Sequence, residues 1–108
     1  MAVLAKGLEA DAAQIARFQA LVSEWRRDVA WTSSSSEMAM HPAYQQIIGM
    51  GQVAVPLLLR ELEQHPDHWF WALRAITGVD PVPPEHRGTL PEMAKTWLDW
   101  GRRQGYAW

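Results

Sequence analysis

His65-Pro66-Asp67-His68 sets two imidazoles three residues apart, a spacing that suits two ligands of one metal ion on a helix. Pro66 works against that use, because proline favours the first helical position and leaves His65 outside the helix. The chain has no cysteine, and no third ligand accompanies the pair, so capping and surface roles are expected for these histidines. Ser33–Ser36 offers four hydroxyls for nucleophilic attack or a phosphate contact. No Gly-x-Ser-x-Gly elbow and no paired base goes with them. The carboxylates Glu61, Glu63, Asp67, Asp80, Glu85, Glu92 and Asp99 are scattered, whereas acid–base or metal work needs two or three converging in a cleft. Gly49-x-Gly51 lacks the strand and the further glycines of a phosphate loop. The expectation is therefore no catalytic residue, no cofactor and no metal.

Arg26, Arg27, Arg60, Arg74, Arg87, Arg102 and Arg103 are the raw material for a basic strip, and arginine beside tryptophan can stack on bases. The turn at Gly51 even has the look of a helix-turn-helix. Yet the net charge is −2, and a dedicated nucleic-acid domain normally carries a basic surplus because phosphate contacts dominate its affinity. The helix after the turn is also too apolar to lie in a groove.

Tryptophan is the unusual element. There are seven in 108 residues, densest at Trp69-Phe70-Trp71. A helix turns about 100° per residue, so Trp69 and Trp71 point about 200° apart. One core cannot bury both from the same side. Trp69, Ala72, Leu73 and Ile76 share a core arc; Phe70 lies at its edge, and Trp71 lies opposite with Arg74 one turn on. Either Trp71 packs beneath the Pro81–Pro84 loop with Arg74 stacked on it, or it stays exposed as the centre of an interface. The candidate interaction surface is Trp71, Arg74, Phe70 and Trp108.

Five helices are needed to position these residues. The first runs from Ala10 to Val29, where Ile15, Phe18, Val22, Trp25 and Val29 follow steps of 3, 4, 3 and 4 on one stripe. Met1–Glu9 reads as a flexible N-terminus without a signal-peptide core, and residues 32–37 as a Ser-rich loop. Pro42 begins a second helix with His41 as its cap, and Gly49 and Gly51 end it. Gln52–Gln64 forms a third, apolar on both sides and hence central. Pro66 and Asp67 start a fourth that stops at Thr77 before Gly78. Thr89-x-x-Glu92 has capping-box spacing for a fifth that reaches Arg103, with Met93, Trp97 and Trp100 inside. Tyr106 and Trp108 form an aromatic tail that water disfavours. No strand pattern is present, and no run approaches the roughly 18 apolar residues of a membrane span. With 48% hydrophobic and 20% charged residues, the chain has a globular rather than a disordered composition.

Ile47–Gly78 resembles a HEAT-type helical hairpin through Gly49, Gly51, Ala54, Val55, Pro56, Leu58, Leu59, Ala72 and Leu73. The resemblance spans about a third of the chain, and no second copy recurs at the 30–45-residue period of a solenoid. Trp25 to Tyr106 is also similar to a group of small uncharacterised bacterial proteins, through Ser33–Ser36, His41-Pro42-Ala43-Tyr44, Trp69-Phe70-Trp71 and Trp97-Leu98-Asp99-Trp100-Gly101. That likeness implies a fold and a bacterial origin and carries no activity. HEAT-type hairpins bind other proteins, an analogy at the level of fold. The combined expectation is an all-α single domain of about five helices, cytoplasmic and non-enzymatic, that binds another protein or a second copy of itself. An antitoxin-like or nucleic-acid-binding regulator is the alternative, and an enzyme with a cleft invisible in sequence the third.

Overall fold

Asp11 starts the first helix by a reciprocal cap: its carboxylate accepts from the Gln14 backbone N–H (2.8 Å), and the Gln14 side chain accepts from the Asp11 N–H (2.9 Å). Two of the orphan donors at the helix start are thereby satisfied, and α1 spans Ala12–Val29. The computed structural model describes residues 9–108; of the expected flexible N-terminus, all but Glu9 lies outside the described residues. Phe18, Leu21, Val22, Trp25 and Val29 are buried along one face of α1.

The serine stretch departs from expectation. It is not a loop through to Glu37: a sixth helix, α2, occupies Ser35–Met40. Ser34 caps it by accepting from the Glu37 N–H (3.2 Å), and Glu37 in turn accepts from the Thr32 hydroxyl (2.8 Å). Met38 and Ala39 are buried, and the Trp25 indole N–H donates to the Met38 carbonyl at 2.8 Å. Serine's capping strength and two buried apolar residues outweigh its weak propensity inside a helix.

Helix α3 (Pro42–Gly49) has the expected cap, with His41 Nδ1 accepting from the Ala43 N–H at 2.9 Å. A 3-10 turn at Gly51–Val53, entered through Gly51 at φ +73°, leads to α4 (Ala54–Gln64). Val55, Leu58, Leu59 and Leu62 are fully buried there and Leu57 packs partly against the core, so α4 is the central helix. It contacts α1, α5 (Phe70–Thr77) and α6 (Leu90–Arg103), while α3 lies chiefly between α1 and α5.

Helix α5 begins later than expected. Pro66 and Asp67 form a preceding turn in which Asp67 accepts from the His68 N–H, and Trp69 occupies the cap position. Gly78 closes α5 at φ +76°. The capping box expected at Thr89 does not form: Thr89 makes no side-chain cap bond. The Glu92 carboxylate turns to His86 at 3.6 Å instead.

Among the described residues one buried cluster draws on all six helices, and there is no strand. The fold is all-α. At its centre Trp25 and Trp69 meet at 4.3 Å between ring centroids, and Tyr44 stacks on Trp69 at 5.3 Å. No helix among the described residues is long and apolar enough to cross a membrane.

The C-terminal tail is held at both aromatics. The Tyr106 hydroxyl donates to Gln52 (3.0 Å), the Trp108 indole donates to Glu63 (3.0 Å), and Arg102 lies 5.0 Å over the Trp108 ring. Gly101 makes room: a Cβ there would sit 2.7 Å from Leu59 Cδ1 and 3.1 Å from Trp108 Cζ3. Alanine gains about 1 kcal/mol of helix propensity, but overpacking against fully buried Leu59 costs about 1–3 kcal/mol. Gly101→Ala is therefore expected to lose about 1 kcal/mol net in urea unfolding and to weaken the order of the tail. A more stable variant would mean the tail does not close on Gly101.

Candidate functional site

A cavity of about 360 Å³ is a groove where three chain segments meet. Helix α5 and the turn before it supply His68, Phe70, Trp71 and Arg74. Ser33 and Ser35 enter from the start of α2, and Gly88, Leu90 and Met93 from the start of α6. Trp69 is wholly buried, whereas Trp71 keeps 41% of its surface, as the 200° offset requires. Val82 of the Pro81–Pro84 loop is buried in the core, and none of that loop lines the groove. Arg74 is not stacked on the ring but pairs with Asp80 at 3.6 Å.

Of the four residues proposed as an interaction surface, three line the groove: Trp71, Arg74 and the mostly buried Phe70. Trp108 lines a separate, smaller cavity with Leu57 and Arg60. The most exposed tryptophan is one the sequence did not single out. Trp31, in the link between α1 and α2, keeps 78% of its surface. Its backbone lies within about 7 Å of groove-lining Ser33, the reach of two extended residues. No periodic pattern marks a link residue, which is why the signal was missing.

Tyr44 sets the orientation of α5. Its hydroxyl accepts from the Ala72 N–H (3.0 Å) and donates to the His68 carbonyl (2.9 Å). The first N–H groups of a helix lack intrahelical partners, and this phenol satisfies one of them in the core. Burial pushes its pKa well up from the ordinary value, so the group stays a neutral donor.

His65 and His68 do not meet. His65 sits near Glu61 at 3.5 Å, while His68 lines the groove. The one metal-like grouping among the described residues is Glu24, Asp28 and His41, whose ligand atoms lie within 4.8 Å of one another. Its hydrogen bonds point to a different use. Because the Ala43 N–H donates to His41 Nδ1, the neutral ring carries its proton on Nε2, and Nε2 donates to Asp28 at 2.9 Å. A metal-binding imidazole has the reverse arrangement, with its second nitrogen donating outward. The grouping is a helix cap braced by a carboxylate.

The His41 hydrogen bond holds the Asp28 carboxyl below its ordinary range. A group with a depressed folded pKa contributes stability above the unfolded value, about 3.9 for Asp, and loses it as pH falls through the folded pKa. Thermal melts below about pH 4 are therefore expected to fall less steeply for Asp28→Asn than for wild type. Parallel curves would remove the pair from the acid response.

Glu61 and Asp67 meet on the Arg26 guanidinium, and none of the seven carboxylates lines the groove. Arg26 pairs with Glu61 at 2.8 Å and Asp67 at 3.5 Å, Arg102 with Glu63 at 2.8 Å, and Lys95 with Asp99 at 3.2 Å. Arg26, Arg27 and Arg102 thus each pair with a carboxylate, and Arg74 and Arg87 share Asp80. Ser33, Ser35 and His68 share the groove, but no hydrogen bond among the described residues joins them and no carboxylate lines it to orient the imidazole. No family model, curated protein or solved structure matches the chain.

Proposed function

We propose that the chain is a non-enzymatic protein–protein interaction module, a cytoplasmic regulatory or accessory protein that engages its partner through the Trp71 groove and Trp31. The observation that carries this reading is the uneven burial of the tryptophans. Trp25, Trp69 and Trp97 are wholly inaccessible, whereas Trp71 keeps 41% and Trp31 78% of its surface. Covering a ring of roughly 200 Å² exposed to the extent of Trp31 would contribute about 4 kcal/mol at about 25 cal/mol per Å², before the costs of association. Tryptophan and arginine are also the side chains enriched at the energetic centres of interfaces. Exposed Trp71 beside Arg74 has the ingredients of a base-stacking site. With a net charge of −2 the chain has no overall basic surplus to follow a phosphate chain, and the protein reading is favoured.

The test is capture from cytoplasmic lysate on immobilised wild type, Trp31→Ala and Trp71→Ala, with mass spectrometry, nucleic-acid staining and light scattering of the free protein. A discrete protein partner, or a dimer, held about tenfold more weakly by both variants is expected, with both variants folded at the assay temperature. Equal capture by all three, or nucleic acid alone, would overturn the reading.

A further inference from the structure

We infer that the groove takes an acidic peptide segment with an apolar anchor residue, the anchor lying on Trp71 and Met93 and a neighbouring carboxylate meeting Arg74. The inference rests on the interaction-module reading and adds the chemistry of the partner. Its first support is the sign of the lining. Arg74 and His68 contribute the ionisable groups, Ser33 and Ser35 contribute hydroxyl donors, and there is no carboxylate, in a chain whose net charge is −2.

The second support lies at the rim. Arg74 Nη1 and Arg87 Nη2 approach the same oxygen of Asp80, at 3.6 and 3.1 Å. Two guanidinium groups sharing one carboxylate leave one positive charge over, and Arg87 directly precedes groove-lining Gly88. Guanidinium is the side chain best shaped to receive a carboxylate as a fork. The surplus charge stands beside an exposed aromatic ring, so an anchor and an adjacent acid can be engaged together. Size narrows the occupant further. A volume of about 360 Å³ is at the small end of ligand cavities, room for an anchoring side chain and its flanking backbone rather than a folded element. Complementary charge of this kind sets partner choice and association rate more than raw affinity.

The test is selection of a random dodecapeptide phage library on the full chain, in parallel on wild type, Arg74→Glu, Arg74→Gln and Trp71→Ala, each first checked by thermal melting. A fluorescein-labelled synthetic peptide of the wild-type consensus is then titrated by anisotropy. The expected consensus places an aromatic or long aliphatic residue beside Asp or Glu. Its peptide should bind Arg74→Gln and Arg74→Glu about tenfold more weakly than wild type, and exchanging its acids for lysine should restore binding to Arg74→Glu. An apolar consensus without acids, or affinity unchanged in both Arg74 variants, overturns the charge assignment and leaves the interaction module standing. No enrichment on wild type over Trp71→Ala overturns both.

Discussion

Trp69→Ala is expected to cost about 3–5 kcal/mol of stability, the usual range for emptying a large aromatic site in a core. A chain of this size holds about 5–15 kcal/mol in total, so the variant would lose roughly a fifth of its margin or more. At about 4–8 °C per kcal/mol its melting temperature should fall by roughly 12 °C or more. The size of the effect comes from the ring's position. Trp69 is wholly buried, 4.3 Å from Trp25 and stacked on Tyr44, so the void would open between three elements at once. The Trp69 indole N–H has no hydrogen-bond partner among the described residues, so Trp69→Phe loses ring volume without losing a hydrogen bond and should cost clearly less. Trp71→Ala, two residues on, should lose no more than about 1 kcal/mol, because its ring is already half in water. Urea unfolding of the three variants checks the contrast. Comparable losses at 69 and 71 would mean that Trp71 is a core residue, and the interface reading would fall with it.

Tyr44→Phe is expected to cost about 2 kcal/mol although it removes a single oxygen atom. The ring stays and continues to stack on Trp69. What is lost is the acceptor of the Ala72 N–H and the donor to the His68 carbonyl. A buried donor left without a partner costs about 1–3 kcal/mol, more than the bond itself contributes. The damage should be directional, since Tyr44 belongs to α3 and its partners frame the start of α5. Amide exchange is expected to rise at Ala72 and Leu73 and to stay near wild type in α1. The groove shares that start through His68 and Phe70, so peptide affinity should weaken as well. A neutral Tyr44→Phe with unchanged exchange would show that α5 is oriented by packing alone.

The helices were legible where a local signal agreed with the core. The α1 stripe and the His41-Pro42 start needed no tertiary information, because cap chemistry and 3.6-residue periodicity act within one or two turns. The failures were local signals outweighed by others. Four serines concealed α2, whose formation depends on Ser34 capping and on Met38 meeting Trp25 across 13 residues. Thr89-x-x-Glu92 has the spacing of a capping box, but His86 draws the Glu92 carboxylate away.

From the sequence alone it followed that the chain is helical and that Trp69 and Trp71 point in opposite directions, because both are consequences of about 100° of rotation per residue. That Trp71 would stay uncovered, that Ser33, Arg74 and Met93 would line one groove, and that Arg74 and Arg87 would share Asp80 were decided only by the tertiary structure. Ser33 lies 41 positions before Arg74, and Met93 19 positions after it. Their meeting depends on how α2, α5 and α6 settle around α4, which no spacing along the chain encodes.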